Sequence, residues 1–213
     1  MKTFWKNLSR NISQTLLLIT SVVLIGCASA EDLEIYSEII DNMYMVETQK
    51  KARDYHYRIV EANGLTTMRS AEEALINLGI PVTGSDLKTG EIFATTSAPH
   101  PLTTEEWKEI IKVENPRVKK ISKGVFILPL KPVGSFIDLR LTVKKLTNNT
   151  TMINIAYSLR NPKIDALGLR VPRLVLSQAA IIGSQKIWDE LNKVLEKKNK
   201  IKIRIPTVEE FTA

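Results

Sequence analysis

The sequence predicts an α+β domain in which an antiparallel sheet is packed on one face by a long C-terminal helix, with short additional helices. Apolar and polar residues alternate through residues 137–144 and 153–160, which indicates neighbouring strands with one dry and one wet face. In residues 173–197 the apolar positions instead recur every three or four residues, which is typical of a helix that covers such a sheet. The 44% hydrophobic content is sufficient for a core.

The first segment after the N-terminal region, residues 28–52, repeats its apolar side chains at spacings of four and three. This spacing fits either a short helix or a strand leading from a tether. The residues concerned are Ile35, Ile39, Met43 and Val46. Residues 55–60 then alternate in polarity, which predicts a strand with His56 on its polar side.

A short helix over residues 71–78 is predicted by the signals at its two ends. Ser70 and Glu73 have the spacing of a capping box, in which each side chain bonds the backbone amide of the other residue. Gly79 stands where a left-handed residue commonly ends a helix. We therefore expect one compact helix of about two turns between these residues.

Two strands, at about 80–85 and 91–96, are expected after this helix, and Gly90 in the turn between them can adopt a positive φ. Residues 124–130 form a further candidate strand, which Pro129 restricts to the edge or the end of a sheet. The sequence LTNNTT at 146–151 predicts a hairpin turn between the two alternating strands, because asparagine tolerates the left-handed conformation.

The two remaining helices have their own signals. Thr103 and Glu106 form a second predicted capping box, which begins a helix carrying Trp107, Ile110 and Ile111. The C-terminal helix presents one apolar stripe, and Gly183 beside it would permit a close approach to the sheet. The stripe comprises Ala180, Ile181, Ser184, Ile187, Trp188, Leu191, Val194 and Leu195.

The N-terminus has the features of a secretory signal peptide. Lys2, Lys6 and Arg10 precede an apolar run, and the first acidic residue of the chain is Glu31. A membrane-spanning helix needs about 20 apolar residues, and this run is shorter. We therefore expect residues 1–26 to be an export signal rather than a permanent membrane helix.

Cys27, the only cysteine of the chain, closes that apolar run. The tetrapeptide Leu24-Ile25-Gly26-Cys27 resembles the lipobox of bacterial lipoproteins. The resemblance implies cleavage after Gly26, a diacylglyceryl group on the Cys27 sulfur and acylation of the new amine, and such a set of chains anchors a protein stably. Lipoproteins kept in the inner membrane usually have aspartate after the cysteine, so Ala28 favours the outer membrane, with the protein facing the periplasm.

A second processing route is open on the same sequence. Ala28-Ser29-Ala30 is itself a small-residue cleavage site, which would release a soluble periplasmic protein that begins at Glu31. In that case Cys27 would be a chance component of the signal peptide.

Four segments make up the predicted organisation of the chain. They are a lipoprotein signal peptide at 1–26, a tether and N-terminal segment at 27–50, a single α+β domain at 51–198 and a basic strand-like tail at 199–213. Loss of the signal peptide lowers the formal net charge from +7 to +4, because three cations and no acidic residue are removed. The basic composition is therefore a weak argument for nucleic-acid binding.

The chain contains no recognisable catalytic or metal-binding motif. His56 and His100 are its only histidines, and they are far apart in sequence. Neither a nucleophile elbow, a phosphate-binding loop nor a zinc-protease motif occurs. We therefore expect no enzymatic activity, no metal site and no cofactor.

Cations interleaved with isoleucines at the C-terminus form the most unusual feature, a basic strip comprising Lys197, Lys198, Lys200, Lys202 and Arg204. One interpretation is a solvated helix end followed by an edge strand that its lysines protect from aggregation. The other is a docking surface for a partner strand, for anionic lipid headgroups or for envelope polymers.

The predicted order of elements resembles the helix-grip type of α+β domain, including the domains of the C subunit of the outer-membrane β-barrel assembly machinery. The segment AEEALINLGIPVTGSDLKTGEIFAT is similar to a pattern in small uncharacterised bacterial envelope lipoproteins, where a short helix ending in Leu-Gly is followed by a strand and an acidic turn. The resemblance covers roughly residues 45–197 and implies no catalytic residue.

Two functions are therefore considered. The first is a membrane-anchored envelope lipoprotein that binds an envelope protein as a non-enzymatic accessory or assembly factor. The alternative is a periplasmic carrier of a lipid or other apolar ligand, held in a cavity between the sheet and the long helix. A filled core beneath that helix would favour the first, and a roomy apolar cavity the second.

Overall fold

The computed structural model describes residues 29–127, 132, 134–162, 166, 177–198 and 200–212. The predicted signal peptide and Cys27 lie outside these residues. So do residues 128–130, the second half of the candidate strand at 124–130. The first half, 124–127, is a turn followed by irregular chain, so this part of the strand prediction is wrong.

The described residues form one six-stranded antiparallel sheet in the order β2-β3-β4-β5-β1-β6. The strands are β1 (Tyr57–Val60), β2 (Val82–Asp86), β3 (Glu91–Ser97), β4 (Phe136–Thr147), β5 (Thr150–Arg160) and β6 (Ile203–Arg204). The hairpin at 146–151 is confirmed, since Thr147 and Thr150 are paired across its turn.

Five helices accompany the sheet in the described part of the chain. They are α1 (Ala30–His56), α2 (Gly64–Asn77), α3 (Thr104–Ile121), α4 (Ser177–Lys197) and α5 (Val208–Thr212). Over the same residues, no helix combines the length and the apolar character that a membrane span requires.

The sheet is covered on one face, as the alternating patterns predict. Ile137, Leu139 and Leu141 of β4 are at most 2% exposed, whereas Arg140 between them is exposed. Helix α4 contacts this sheet where Gly183 approaches Tyr157, because a Cβ added to Gly183 would lie 3.3 Å from the Tyr157 hydroxyl oxygen. The predicted α+β fold with a long C-terminal helix on the sheet is therefore confirmed.

The apolar stripe of α4 contributes a filled core. Ile187, Trp188, Leu191, Val194 and Leu195 are between 0 and 2% exposed. They belong to one continuous cluster with α2, α3 and the inner face of the sheet. At about 25 cal/mol per Å² of buried apolar surface, such side chains each contribute on the order of 2 kcal/mol to folding.

The N-terminal segment differs from the sequence-based expectation. Residues 30–56 form a helix of 27 residues, which begins at a capping box between Ser29 and Asp32. The strand predicted from residue 55 begins only at Tyr57, and His56, expected on a polar strand face, is the last helical residue and is 3% exposed. Most of the predicted tether is thus helical, and Ile40 and Tyr44 are fully buried in the core.

Helix α2 begins earlier than its sequence indicated. Its N-cap is Asn63, whose side chain accepts a hydrogen bond from the Thr66 amide at 2.9 Å, so the capping box predicted at Ser70 is wrong. Ser70 lies inside the helix and is fully buried. The first turn contains threonines, which are weak helix formers, but Thr67 is held by a hydrogen bond to Thr151 of β5. Tertiary contact therefore extends this helix.

Other local predictions are confirmed. The Thr103–Glu106 capping box begins α3, with both of its hydrogen bonds formed. Gly79 ends α2 with φ +73°, and Gly90 in the β2–β3 turn also has φ +73°. The turn brings the Gly90 carbonyl to the Val143 amide at 2.7 Å, which joins β3 to β4 at this point.

Gly90→Ala should destabilise the protein by at least about 2 kcal/mol, because the residue has a positive φ and the new Cβ would lie 2.3 Å from the Val143 carbonyl oxygen. The matched control is Gly64→Ala, where no atom lies within 4 Å of an added Cβ and the change should be within about 1 kcal/mol. Urea unfolding of both variants measures the difference. Equal midpoints would contradict the close approach of β4 to this turn.

Candidate functional site

The basic strip lies at the exposed end of α4 and along β6, one of the two edge strands of the described sheet. Strand β6 pairs with β1, and the Glu61 amide donates a hydrogen bond to the Lys202 carbonyl at 3.0 Å. Ile203 of this strand and Ile201 just before it pack against the hydrophobic core. The segment predicted as a separate tail thus contributes an edge strand to the sheet, which agrees with its strand-like pattern.

Two of the five cations of the strip are engaged within the protein. The Lys198 ammonium lies 2.5 Å from a carboxylate oxygen of Glu73 on α2. The Arg204 guanidinium donates two hydrogen bonds, of 2.7 and 2.6 Å, to Glu210 of α5. This bidentate contact lowers the pKa of Glu210 to about 2. Lys198 and Arg204 therefore fasten the end of the chain to the domain.

The other three members, Lys197, Lys200 and Lys202, are exposed. None of them has an acidic partner within 4 Å among the residues that the structure describes. Lys200 has φ 54°, and this left-handed residue turns the chain from the end of α4 into β6. The strip therefore presents three lysines to solvent beside a sheet edge.

A groove of about 380 Å³ runs between the end of α4 and β6. Asn192, Glu196 and Glu61 line it together with the segment 200–204. Lysine ammonium groups and carboxylates are thus both present. Chemically, this edge can accept an extended chain, whose backbone would pair with β6 and whose acidic side chains would meet the lysines.

A second polar cluster joins His56 of α1 to Ser184 of α4 and Tyr157 of β5. The His56 Nδ1 atom lies 3.1 Å from the Ser184 hydroxyl, which donates to the Tyr157 hydroxyl oxygen at 3.1 Å. A serine beside a histidine is an arrangement used for nucleophilic catalysis. Ser184 is 0% exposed, however, so no substrate can reach it without unfolding of the helix packing. The cluster joins three elements of the fold.

Burial determines the protonation of this cluster. It lowers the pKa of His56 to about 4, and the nearby Arg58 guanidinium acts in the same direction. Burial also raises the pKa of Tyr157. The His56 Nε2 atom is buried without a hydrogen-bond partner among the described residues. Both rings are therefore neutral near pH 7, and a proton on His56 would be costly.

Sequence inspection missed this cluster because His56 and Ser184 are separated by 128 positions. The available signal was Ser184 itself, a polar residue in the middle of an apolar helix stripe. The other histidine, His100, is fixed by a hydrogen bond, because its Nε2 atom lies 2.7 Å from the Leu78 carbonyl oxygen at the end of α2. The described residues hold no group of three or more potential metal ligands.

We expect His56 to make the free energy of unfolding depend on pH. Its folded pKa of about 4 lies below the ordinary 6.5, so the unfolded chain binds a proton first as the pH falls. The stabilisation is complete above pH 6.5, and about 2 kcal/mol of it is lost between pH 7 and pH 5.

Urea unfolding at the two pH values, carried out on the parent and on His56→Leu, measures this difference. The change in the free energy of unfolding between pH 7 and pH 5 should be smaller in this variant by about 2 kcal/mol, whereas His100→Gln should leave it unchanged. An unchanged dependence in His56→Leu would contradict the buried neutral histidine.

Of the basic strip, Lys197, Lys200 and Lys202 are the members that are exposed and form no ion pair within 4 Å among the described residues. The other two cations of the strip and both histidines hold elements of the fold together. The chain matches no protein-family model and no curated protein sequence.

Proposed function

We propose that this chain is a membrane-anchored envelope lipoprotein that binds another envelope protein and acts as a non-enzymatic accessory or assembly factor. The anchor is the lipid on Cys27, and the protein faces the periplasm from the outer membrane. The observation that carries the proposal is the exposure of Lys197 at the end of α4 and of Lys200 and Lys202 at a groove beside the edge strand β6.

The partner that suits this edge is an extended acidic segment. Its backbone would add to β6, which is the last strand of the described sheet and pairs on one side only. Its carboxylates would approach the three lysines, and this attraction would chiefly set the association rate and the choice of partner. Such a contact should weaken as the salt concentration rises, since exposed charges are screened.

The helix cap at Ser29 supports cleavage after Gly26. The side chain of Ser29 accepts from the Asp32 amide, and the Asp32 carboxylate accepts from Ser29 in return. A mature chain that begins at Cys27 keeps this capping box, which is worth about 1 kcal/mol. A chain released after Ala30 begins at Glu31 and loses it. The lipoprotein form is therefore the one that retains the complete helix.

The carrier alternative requires room for an apolar ligand. Beneath α4 the core side chains from Ile187 to Leu195 are closely packed and buried. The apolar groove between α1 and β5, lined by Met45, Ala52 and Tyr157, has a volume of about 250 Å³. Ligand pockets commonly measure about 300–1,000 Å³, so this groove is small for such a ligand, and the filled core beneath α4 favours the docking function.

Quantitative affinity capture tests the docking edge. Lys197, Lys200 and Lys202 are all changed to Glu in the full-length protein, which is then captured from envelope extract beside the parent. Point changes are preferable to truncation after Lys198, because truncation would remove Ile201 and Ile203 from the core. A true docking partner should fall at least about tenfold in recovery, since attraction becomes repulsion at three positions.

The control carries the same change of net charge on exposed lysines elsewhere, namely Lys88, Lys144 and Lys145 changed to Glu. Recovery of the partner should be unchanged with this control. If no protein is lost selectively on reversal of Lys197, Lys200 and Lys202, the docking edge is wrong.

A further inference from the structure

Helix α1 carries an apolar surface that stays exposed among the residues that the structure describes. Ile35, Ile39, Met45 and Val46 are 47, 44, 42 and 44% exposed. Elsewhere in the described chain, no helix or strand has more than two exposed large apolar side chains. The opposite face of the helix is buried through Ile40 and Tyr44, so the two faces have separate roles.

The exposed face is organised as one row. Its members, all exposed, follow one another at steps of 4, 4, 3, 4 and 4 residues, which keeps them on one side of a helix. In chain order they are Glu31, Ile35, Ile39, Asn42, Val46 and Lys50. The spacing is the same in both directions, and the row begins with an acid and ends with a base.

We infer that this row is a self-association surface, on which α1 of a second copy of this chain packs in the antiparallel direction. A two-fold axis through the centre of the row then places Ile35 against Val46 of the second copy and Ile39 against Asn42. At each end of the pair, Glu31 of one copy lies against Lys50 of the other. Such an isologous contact uses one patch on both copies.

The charge distribution selects this arrangement over two others. Residues 30–41 contain five acidic residues and no lysine or arginine, whereas residues 50–53 contain three cations and no acid. A parallel pair would bring the five acids of each helix together, and like charges repel. The same acids disfavour an anionic bilayer surface, for which helices are commonly lysine- or arginine-rich.

Disulfide trapping distinguishes the arrangements. Two differently tagged full-length copies are produced together, one with Ile35→Cys and the other with Val46→Cys, then purified in excess detergent and oxidised. The antiparallel pair places these two positions opposite each other. It separates the two copies of residue 35 by about 16 Å, too far for a disulfide. Cross-linking of 35 to 46 should therefore exceed 35 to 35 at least about tenfold.

Two controls define the background of this experiment. The parent chain reports any contribution of Cys27, and Val113→Cys reports random collision at an apolar position of α3 that is 74% exposed. Cross-linking of 35 to 46 no greater than either control overturns the inference. A 35-to-35 bond equal to or stronger than 35 to 46 also overturns it, because that result indicates a parallel pair.

Charge reversal gives a second readout. Lys50→Glu should lower the yield of the 35-to-46 cross-link by about threefold or more, since an acid then faces Glu31 of the second copy. Adding Glu31→Lys to the same chains restores opposite charges and should restore the yield. If neither variant changes the yield of the 35-to-46 cross-link, the proposed register is wrong. None of these outcomes depends on the lysine edge or its partner.

Discussion

The direct passage of helix α1 into strand β1 is the constraint on which the rest of the structure depends. His56 is the last helical residue and Tyr57 the first of the strand, so no loop absorbs the change of direction. The carbonyls left unpaired at a helix end need donors. The Arg58 guanidinium donates to the Asp54 and Tyr57 carbonyl oxygens at 2.9 and 2.7 Å. The Trp188 indole N–H of α4 donates to the Tyr55 carbonyl oxygen at 2.7 Å. One junction thus joins α1, α4 and the sheet.

The regular part of the fold could be predicted from the sequence because its signals are local. Strict alternation in β4 and β5, the Thr103 capping box and the positive φ of Gly90 depend on neighbouring residues only. The junction between α1 and β1 could not be predicted in this way, because Arg58 and Trp188 come together only after folding. The Arg58 guanidinium carbon then lies 5.2 Å from the centre of the Trp188 ring. For the same reason the strand predicted from residue 55 is wrong at residues 55–56. His56 bonds to Ser184 and the Tyr55 carbonyl bonds to Trp188, and these α4 residues are 128 and 133 positions away.

The candidate site could likewise be predicted only as far as its signals are local in the sequence. The basic strip was visible in the sequence, but its separation into structural and exposed cations was not, because Glu73 and Glu210 had no pattern linking them to Lys198 and Arg204. The spacing of apolar residues in the sequence indicated an apolar face on α1. The sequence did not show that this face is exposed, which follows from the burial of Ile40 and Tyr44 on the opposite face. The two proposed surfaces lie on different elements, so one chain could bind a second copy and a partner together.

The helical start at Ala30 limits how far the proposed lipid anchor can be from the domain. Ala28 and Ser29 alone separate Cys27 from α1, so a lipid on that sulfur would hold the start of α1 within about 11 Å of its attachment point. Mass spectrometry of the mature N-terminal peptide tests this most directly. We expect a peptide that begins at Cys27 with a diacylglyceryl thioether and an acylated amine. An unmodified peptide that begins at Glu31 would contradict it.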